Sequence, residues 1–383
     1  ISEIDIETLQ NDRQVNTSFM YGTSGLPKEK AQVVDFQVRI SDGFSLTRPV
    51  DPHPFTPSGE ALKERCEEIF HIQVAGLAKR LVHAHAQTAV VGISGGLDST
   101  LALLVTVMTF DALKMPRGQI IGITMPGFGT TDRTYTNACD LIRSLGVTLK
   151  EIPIKEACLQ HFRDIDHDPS VHDVTYENSQ ARERTQLLMD VANQKNGLVI
   201  GTGDLSELAL GWATYNGDHM SMYGVNGGVP KTLVKSMVLN LAKNYDEKTR
   251  KTLEDIAATP ISPELTPSKG GATAQFTEDI LGPYELHDFF LYYLIKHGYA
   301  PDKVYYIAKQ TFAGKYDKEI IQKCLYKFIN RFFASQFKRS CQPDGVKTGA
   351  LCLSPRGDFR MPSDGVKNVW IKLLDQAIAA EKN

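Results

Sequence analysis

The chain has 383 residues, enough for two or three domains, and 42% of them are hydrophobic, enough for a packed core. A formal net charge of −3 gives no basic excess for a nucleic-acid or membrane surface, and no apolar run nears the roughly eighteen residues needed to span a bilayer. Six scattered cysteines without a C-x-x-C pair fit a reducing cytoplasm better than a disulfide scaffold, and the ten histidines show no zinc spacing.

The opening ISEIDIETLQ has neither an initiator Met nor a signal-peptide pattern, which reads as an internal start within a longer protein. Residues 1–58 read as an arm: AQVVDFQVRIS alternates like a strand, and VDPHPFTPS is too rich in proline for a helix. From Ser58, the expected cap, SGEALKERCEEIFHIQVAGLAKRLVHAHA has helical spacing, with Glu60 and Glu64 near the positive end.

A regular alternation follows. TAVVGI is a short apolar strand, then comes a glycine turn, then the helix STLALLVTVMTFDALK. QIIGITMP is a second strand, and TDRTYTNACDLIRSLG a helix stopped by Gly146. VTLKEIPI, the helix NSQARERTQLLMDVANQKN and the strand GLVIGTGD complete the series. Strands separated by helices predict a parallel sheet buried on both faces, with ligands at the carboxyl ends of the strands. SGGLDS, MPGFGTTDR and GTGDLSE all follow strands and so converge on one crevice. Beyond residue 240 the chain reads as helical: KSMVLNLAKNY, ELHDFFLYYLIKHG and DKEIIQKCLYKFINRFFASQF are helices, and TPISPELTPSKGGATAQ a mobile loop.

SGGLDS sets Ser94, Gly95, Gly96 and Ser99 around a helix start. Glycines let backbone N–H groups approach an anion, the helix end adds partial positive charge, and the serines add hydroxyl donors. The lysine of a Walker loop is absent, and Asp98 stands in the same turn. A carboxylate beside phosphate is repulsive unless a cation lies between them, and Mg²⁺ bridges such oxygens.

S-G-G-x-D-S after a strand resembles the signature of the PP-loop ATP pyrophosphatases. That likeness implies an α/β fold, a Rossmann-like parallel sheet flanked by helices (adenine nucleotide alpha-hydrolase or PP-loop type) with a helical C-terminal part. It also implies that the turn holds the departing pyrophosphate of ATP. TYENSQARERT, GTGDLSELALGWATYNGDHMSMYGVNGGVPKT, TPISPELTPS and LSPRGDFRMPSD together resemble NAD⁺ synthetases, above all the large glutamine-dependent form, from about residue 60 onward. On this reading residues 59–383 are the synthetase domain, and TLQNDRQVNTSF in residues 1–58 resembles the end of a glutaminase domain whose Glu–Lys–Cys set has no match here.

The resemblance implies ATP-dependent amidation of deamido-NAD⁺ through an adenylate, with ammonia displacing AMP. Asp98 and Glu207 fall where the family binds Mg²⁺. Ser94, Gly95, Gly96, Asp98, Ser99, Thr202 and Lys231 fall where it binds ATP, Lys231 also offering the charge that the loop lacks. Asn178, Arg182, Glu183, Glu207, Trp212, Asp218 and Lys338 match deamido-NAD⁺ contacts, with Asp218 placed to take a proton from ammonium. The implied partners are deamido-NAD⁺, ATP, ammonia, the glutaminase domain of the same protein and further copies in a homodimer or higher homo-oligomer. A GMP or asparagine synthetase would need another acceptor motif than YEN-x-Q-A-R with GW-x-T-Y-x-G-D. A non-catalytic adenine nucleotide binder would lack the metal carboxylates, and Asp98 and Glu207 are both present.

Overall fold

The computed structural model describes residues 3–23, 32–35, 37, 46–260 and 277–381. The strand expected over 31–41 lies mostly outside them, and residues 32–35 and 37 have no regular structure. The mobile loop expected over 259–275 also lies outside them, apart from Thr259 and Pro260.

The expected arm instead begins with two helices, α1 (Ile6–Val15) and α2 (Thr17–Thr23). Asp5 caps α1, accepting from Thr8 N–H at 3.2 Å. It also accepts from Lys303, Arg48 and Tyr299 at 2.5, 2.5 and 2.7 Å. Burial alone would raise its carboxyl, but the bonds from Lys303 and Tyr299 prevail and hold it at about 2. The N-terminal segment is thereby pinned to the C-terminal helices.

Next comes α3 (Glu60–His83), whose cap position is Gly59 at φ +65 with no side-chain cap bond. Ser58 is therefore not the cap, because the left-handed turn at Gly59 places the boundary one residue later. Five parallel strands follow: β1 (Thr88–Gly92), β2 (Ile120–Thr124), β3 (Thr148–Glu151), β4 (Gly197–Gly201) and β5 (Tyr223–Gly224), in the order β3-β2-β1-β4-β5. Ala89 lies beside Ile120 on one side and Leu198 on the other. Central β1 and β2 are almost wholly buried, as short apolar runs bounded by turns require.

The crossovers are α4 (Leu97–Ala112), α5 (Asp132–Ser144), α6 (Lys155–Asp164), α7 (Val174–Gln194) and α8 (Leu205–Leu210), and α9 (Lys231–Ala242) and α10 (Glu247–Ala258) follow the last strand. Gly146 at φ +72 follows α5 as expected. Helix α7 starts four residues before the predicted Asn178, because Asp173 accepts from Thr175 and Tyr176 N–H at 2.9 and 3.0 Å. Helices α3, α4 and α9 pack one face of the sheet around Leu101, Phe110 and Met237, while α6 and α7 cover the other around Phe162 and Tyr176.

A third apolar cluster, centred on Phe289, Phe328 and Phe332, joins α8 to the C-terminal helices. These are α11 (Thr277–Leu281), α12 (Tyr284–Leu291), α13 (Pro301–Thr311), α14 (Lys318–Ala334), α15 (Gln336–Ser340) and α16 (Asn368–Ala380). The single helix expected over 285–298 is α-helical to Leu291 and then widens into a π turn, Tyr292–Lys296. The aromatic side chains of this region are core, as read from the sequence.

Candidate active site

A cavity of about 570 Å³ opens at the carboxyl ends of β1, β2 and β4. Its floor is the turn between β1 and α4. Ser94 Oγ accepts from Gly96 N–H at 3.1 Å and lies 3.2 Å from Ser99 Oγ, while Ser99 Oγ–H donates to the Gly96 carbonyl at 3.1 Å. Gly95 has φ +86, and a Cβ there would meet the Thr134 carbonyl oxygen at 2.2 Å. Only glycine fits between this turn and the start of α5. The predicted ATP residues Ser94, Gly95, Gly96, Asp98, Ser99, Thr202 and Lys231 all line the one cavity.

Above this floor four charged side chains converge. Lys231 Nζ is buried 2.6 Å from Asp98 Oδ2, 2.8 Å from Asp204 Oδ2 and 3.0 Å from Glu207 Oε1. The long α4–β4–α9 separation in sequence closes here because each residue sits at the start of a helix that follows the sheet edge. Asp204 and Glu207 form a capping box: Asp204 Oδ1 accepts from Glu207 N–H at 2.8 Å, and Glu207 Oε2 accepts from Asp204 N–H at 3.3 Å. Glu207 is thus both a helix-start residue and a site residue. Asp204, whose role as a cap hides it in D-x-x-E, is the carboxylate that sequence reasoning missed.

Burial raises both carboxyls against the pull of Lys231, Glu207 to about 7 and Asp204 well above the ordinary range. Burial would lower the Lys231 ammonium, but the carboxylates of Asp204, Asp98 and Glu207 raise it instead. Ser206 Oγ accepts from Lys231 N–H at 2.8 Å and itself donates to Asp288, which also accepts from Thr232 Oγ–H at 2.7 Å. A buried amide relay, Gln73 to Asn226, ends in Asn226 Nδ2 donating to the carbonyls of Asp98 and Thr202 at 2.9 and 3.0 Å.

Oxygens of Asp98, Asp204 and Glu207 lie within 4.8 Å of one another, and Asp98 Oδ1 is buried without a hydrogen-bond partner. Hard carboxylate donors, one with an unused lone pair, fit Mg²⁺.

The far wall carries the second set of predicted residues. Trp212 lies with its ring 5.0 Å from the Arg331 guanidinium carbon. Asp218 is exposed to the open cavity and accepts from Thr214 N–H at 2.7 Å, and partial desolvation by the cavity walls raises its carboxyl. Thr214 Oγ–H donates to Asn178 Oδ1 at 2.7 Å, joining α7 to the loop that holds Asp218. Lys338 donates to the carbonyls of Gly211 and Ala213 at 2.9 and 2.5 Å. Arg182 is exposed, donates to the Tyr215 carbonyl at 3.4 Å and does not line the cavity. Glu183 does not line it either, being on the side of α7 opposite Asn178 and Ala181, while Arg182, one turn on from Asn178, is engaged by the Tyr215 carbonyl instead. Arg331 was not foreseen, because nothing in its own helix marks it out from the core spacing around it.

A serine–glycine turn without a lysine, set at the carboxyl edge of a parallel sheet, separates PP-loop nucleotide-binding proteins from those with a Walker loop, and this chain has the PP-loop arrangement. A family model described as NAD synthase matches residues 69–341, and the chain belongs to that family. It is 38% identical to a glutamine-dependent NAD(+) synthetase of Mycobacterium leprae over all of its own length and 60% of that protein's. Among solved structures it shares its fold with a glutamine-dependent NAD(+) synthetase from Cytophaga hutchinsonii, at a TM-score of 0.67 and 20% identity over 82% of this chain and 56% of that one. An NMN synthetase from Francisella tularensis matches at a TM-score of 0.54 and 23% identity over 72% and 95%.

Proposed function

We propose that this chain converts deamido-NAD⁺, ATP and ammonia into NAD⁺, AMP and pyrophosphate. The observation that carries the reading is the meeting of the Ser94–Ser99 turn with Asp98, Glu207 and Lys231 in one cavity, inside a chain of the NAD synthase family.

The nicotinate carboxylate is already an anion, so attack on the α-phosphorus of ATP needs no base. One carboxylate oxygen forms the new P–O bond, and the bond to the β-phosphate breaks, releasing pyrophosphate. Ammonia then adds to the acyl carbon, the C–O bond to AMP breaks, and one proton is lost. Catalysis is placement and charge neutralisation. The turn at Ser94–Ser99 offers the pyrophosphate backbone N–H groups, hydroxyls and the positive end of α4. Asp98 and Glu207 would hold Mg²⁺, which when bound offsets phosphate charge. Lys231, freed from the carboxylates it holds, supplies a cation to the phosphates. Asp218, on the cavity wall where desolvation raises its carboxyl, holds ammonium and takes its proton.

In the longer protein the ammonia comes from glutamine through a glutaminase domain, and the synthetase works in the cytoplasm as a homodimer or larger homo-oligomer. Among the described residues no helix is long and apolar enough to cross a membrane. The test is incubation of the chain with ATP, Mg²⁺, deamido-NAD⁺ and ammonium, reading pyrophosphate and NAD⁺ in equal amounts. Nicotinate mononucleotide is run in parallel because a structural neighbour is named an NMN synthetase. Turnover of the mononucleotide alone, or ATP binding without turnover, refutes the proposal.

A further inference from the structure

Two cations stand in the far wall of the cavity, and among the described residues no carboxylate pairs with either, the charge of Asp218 reaching Lys338 only from beyond ion-pair distance. Arg331 Nε donates to the Leu210 carbonyl at 2.8 Å and Nη2 to the Gly211 carbonyl at 3.4 Å. Lys338 shares that Gly211 carbonyl and adds that of Ala213. Both line the cavity, both are half-buried, and neither makes an ion pair among the described residues. Burial lowers both, and Arg331 lowers Lys338 further while Asp218 raises it by less, so the two cations repel across one carbonyl. The opposite wall, with three carboxylates around one ammonium, has the reverse sign. Cations half out of water are costly unless an anion meets them. The Leu210–Ala213 carbonyls satisfy their donors in part but carry no charge, and the Nη1 group of Arg331 has no partner among the described residues.

We propose that Arg331, acting with Lys338, is a specificity-determining residue that binds the carboxylate of the acyl substrate and lets the amide product go. This rests on the reading of the reaction given above. A planar guanidinium suits a carboxylate. It gains nothing comparable from a carboxamide, which brings no charge and whose amino group would face a donor. Arg331 also lies over the Trp212 ring, with its guanidinium carbon 5.0 Å from the centroid, so the ring and the Leu210 and Gly211 carbonyls hold it in place before a ligand arrives. The same contact loosens when the acid becomes an amide, and product release follows from the chemistry itself.

The experiment measures binding of deamido-NAD⁺ and of NAD⁺ to the chain by calorimetry, first unmodified, then as Arg331→Gln and Arg331→Lys. Gln keeps a donor for the carbonyls and removes the charge, while Lys keeps the charge and loses the fork. The unmodified chain is expected to prefer the acid by about ten- to a hundredfold, the worth of one charge-assisted hydrogen bond. Arg331→Gln should bring that ratio to within about threefold of unity, and Arg331→Lys should keep most of it, with ATP affinity held within about threefold in both. Equal affinity of the unmodified chain for acid and amide overturns the inference, even where no variant folds. So does a ratio that Arg331→Gln leaves unchanged. Failure of the turnover assay with the acid preference intact would instead count against the reaction and leave this contact standing.

Discussion

Replacing Lys231 by methionine, nearly equal in length and uncharged, leaves Asp98, Asp204 and Glu207 facing one another without their shared cation. Removing one partner from a buried ion cluster typically costs about 3–5 kcal/mol. The loss must depend on pH, and its sign follows from Glu207. Its carboxyl titrates at about 7 in the folded chain against 4.5 ordinarily. A group raised in this way contributes stability that is present below the unfolded value and is lost as pH rises through the folded one. Ionising it in the folded state therefore costs roughly 3 kcal/mol, at about 1.4 kcal/mol per tenfold change in proton affinity. Without Lys231 the pull that lowers Asp204 and Glu207 is gone, so both hold their protons to higher pH. Urea unfolding in chelator should then place Lys231→Met about 3–5 kcal/mol below the parent near pH 8 and well under half of that near pH 5.5, with an unchanged slope. Adding Mg²⁺ near pH 8 should recover part of the loss, since a divalent ion offers the same three oxygens a cation. A loss equal at both pH values, or under about 1 kcal/mol near pH 8, refutes the assignment of Lys231 as the common counterion.

Asp98→Asn and Glu207→Gln should each lower turnover by about 10²–10³ while weakening dinucleotide binding less, and near-full turnover at saturating Mg²⁺ would remove that residue from the metal site. Gly95→Ala must accept a left-handed alanine and a Cβ at 2.2 Å from the Thr134 carbonyl, so a melt should show at least about 2 kcal/mol lost and ATP should bind more weakly. The isolated chain should use ammonium and not glutamine: Cys66, Cys139, Cys158, Cys324 and Cys352 are buried with their thiols raised by desolvation, the opposite of an activated nucleophile. Glutamate released in step with NAD⁺ would disprove this. Light scattering should find a dimer or larger at micromolar concentration, and an active monomer would exclude the two-fold assembly.

The parallel sheet and the phosphate turn were legible because each rests on local chemistry. Short apolar runs such as TAVVGI and QIIGITMP have no other stable place than a buried strand, and S-G-G before an apolar helix leaves the backbone few conformations. Positions fixed by distant partners were not legible. Asp204 reads as a helix cap and is one, and only the arrival of Lys231 from 27 residues downstream makes it part of the site. Arg331 faces the cavity because α14 packs across α8, which no periodicity records, whereas Lys338 is reached only through the family resemblance. Strand β5, two residues long, is too short to show a pattern. Helices α1 and α2 carry little apolar signal of their own, and at least α1 is held by the contacts of Asp5 with residues near 300.

The cavity wall runs from Gly92 to Ser354, and the Gly224 N–H bond to the Asp344 carbonyl, at 2.7 Å, laces the last strand to a segment 120 residues further on. Loop closure over such separations is slow and is rewarded only at the end. During synthesis β1 to β4 are complete before Arg331 and Lys338 of the far wall have been translated. A growing chain therefore holds the Ser94–Ser99 turn without the Arg331 and Lys338 side of the cavity. The cavity is complete only after residues near 350 have folded back onto the sheet, so its two halves are brought together by the last contacts to form.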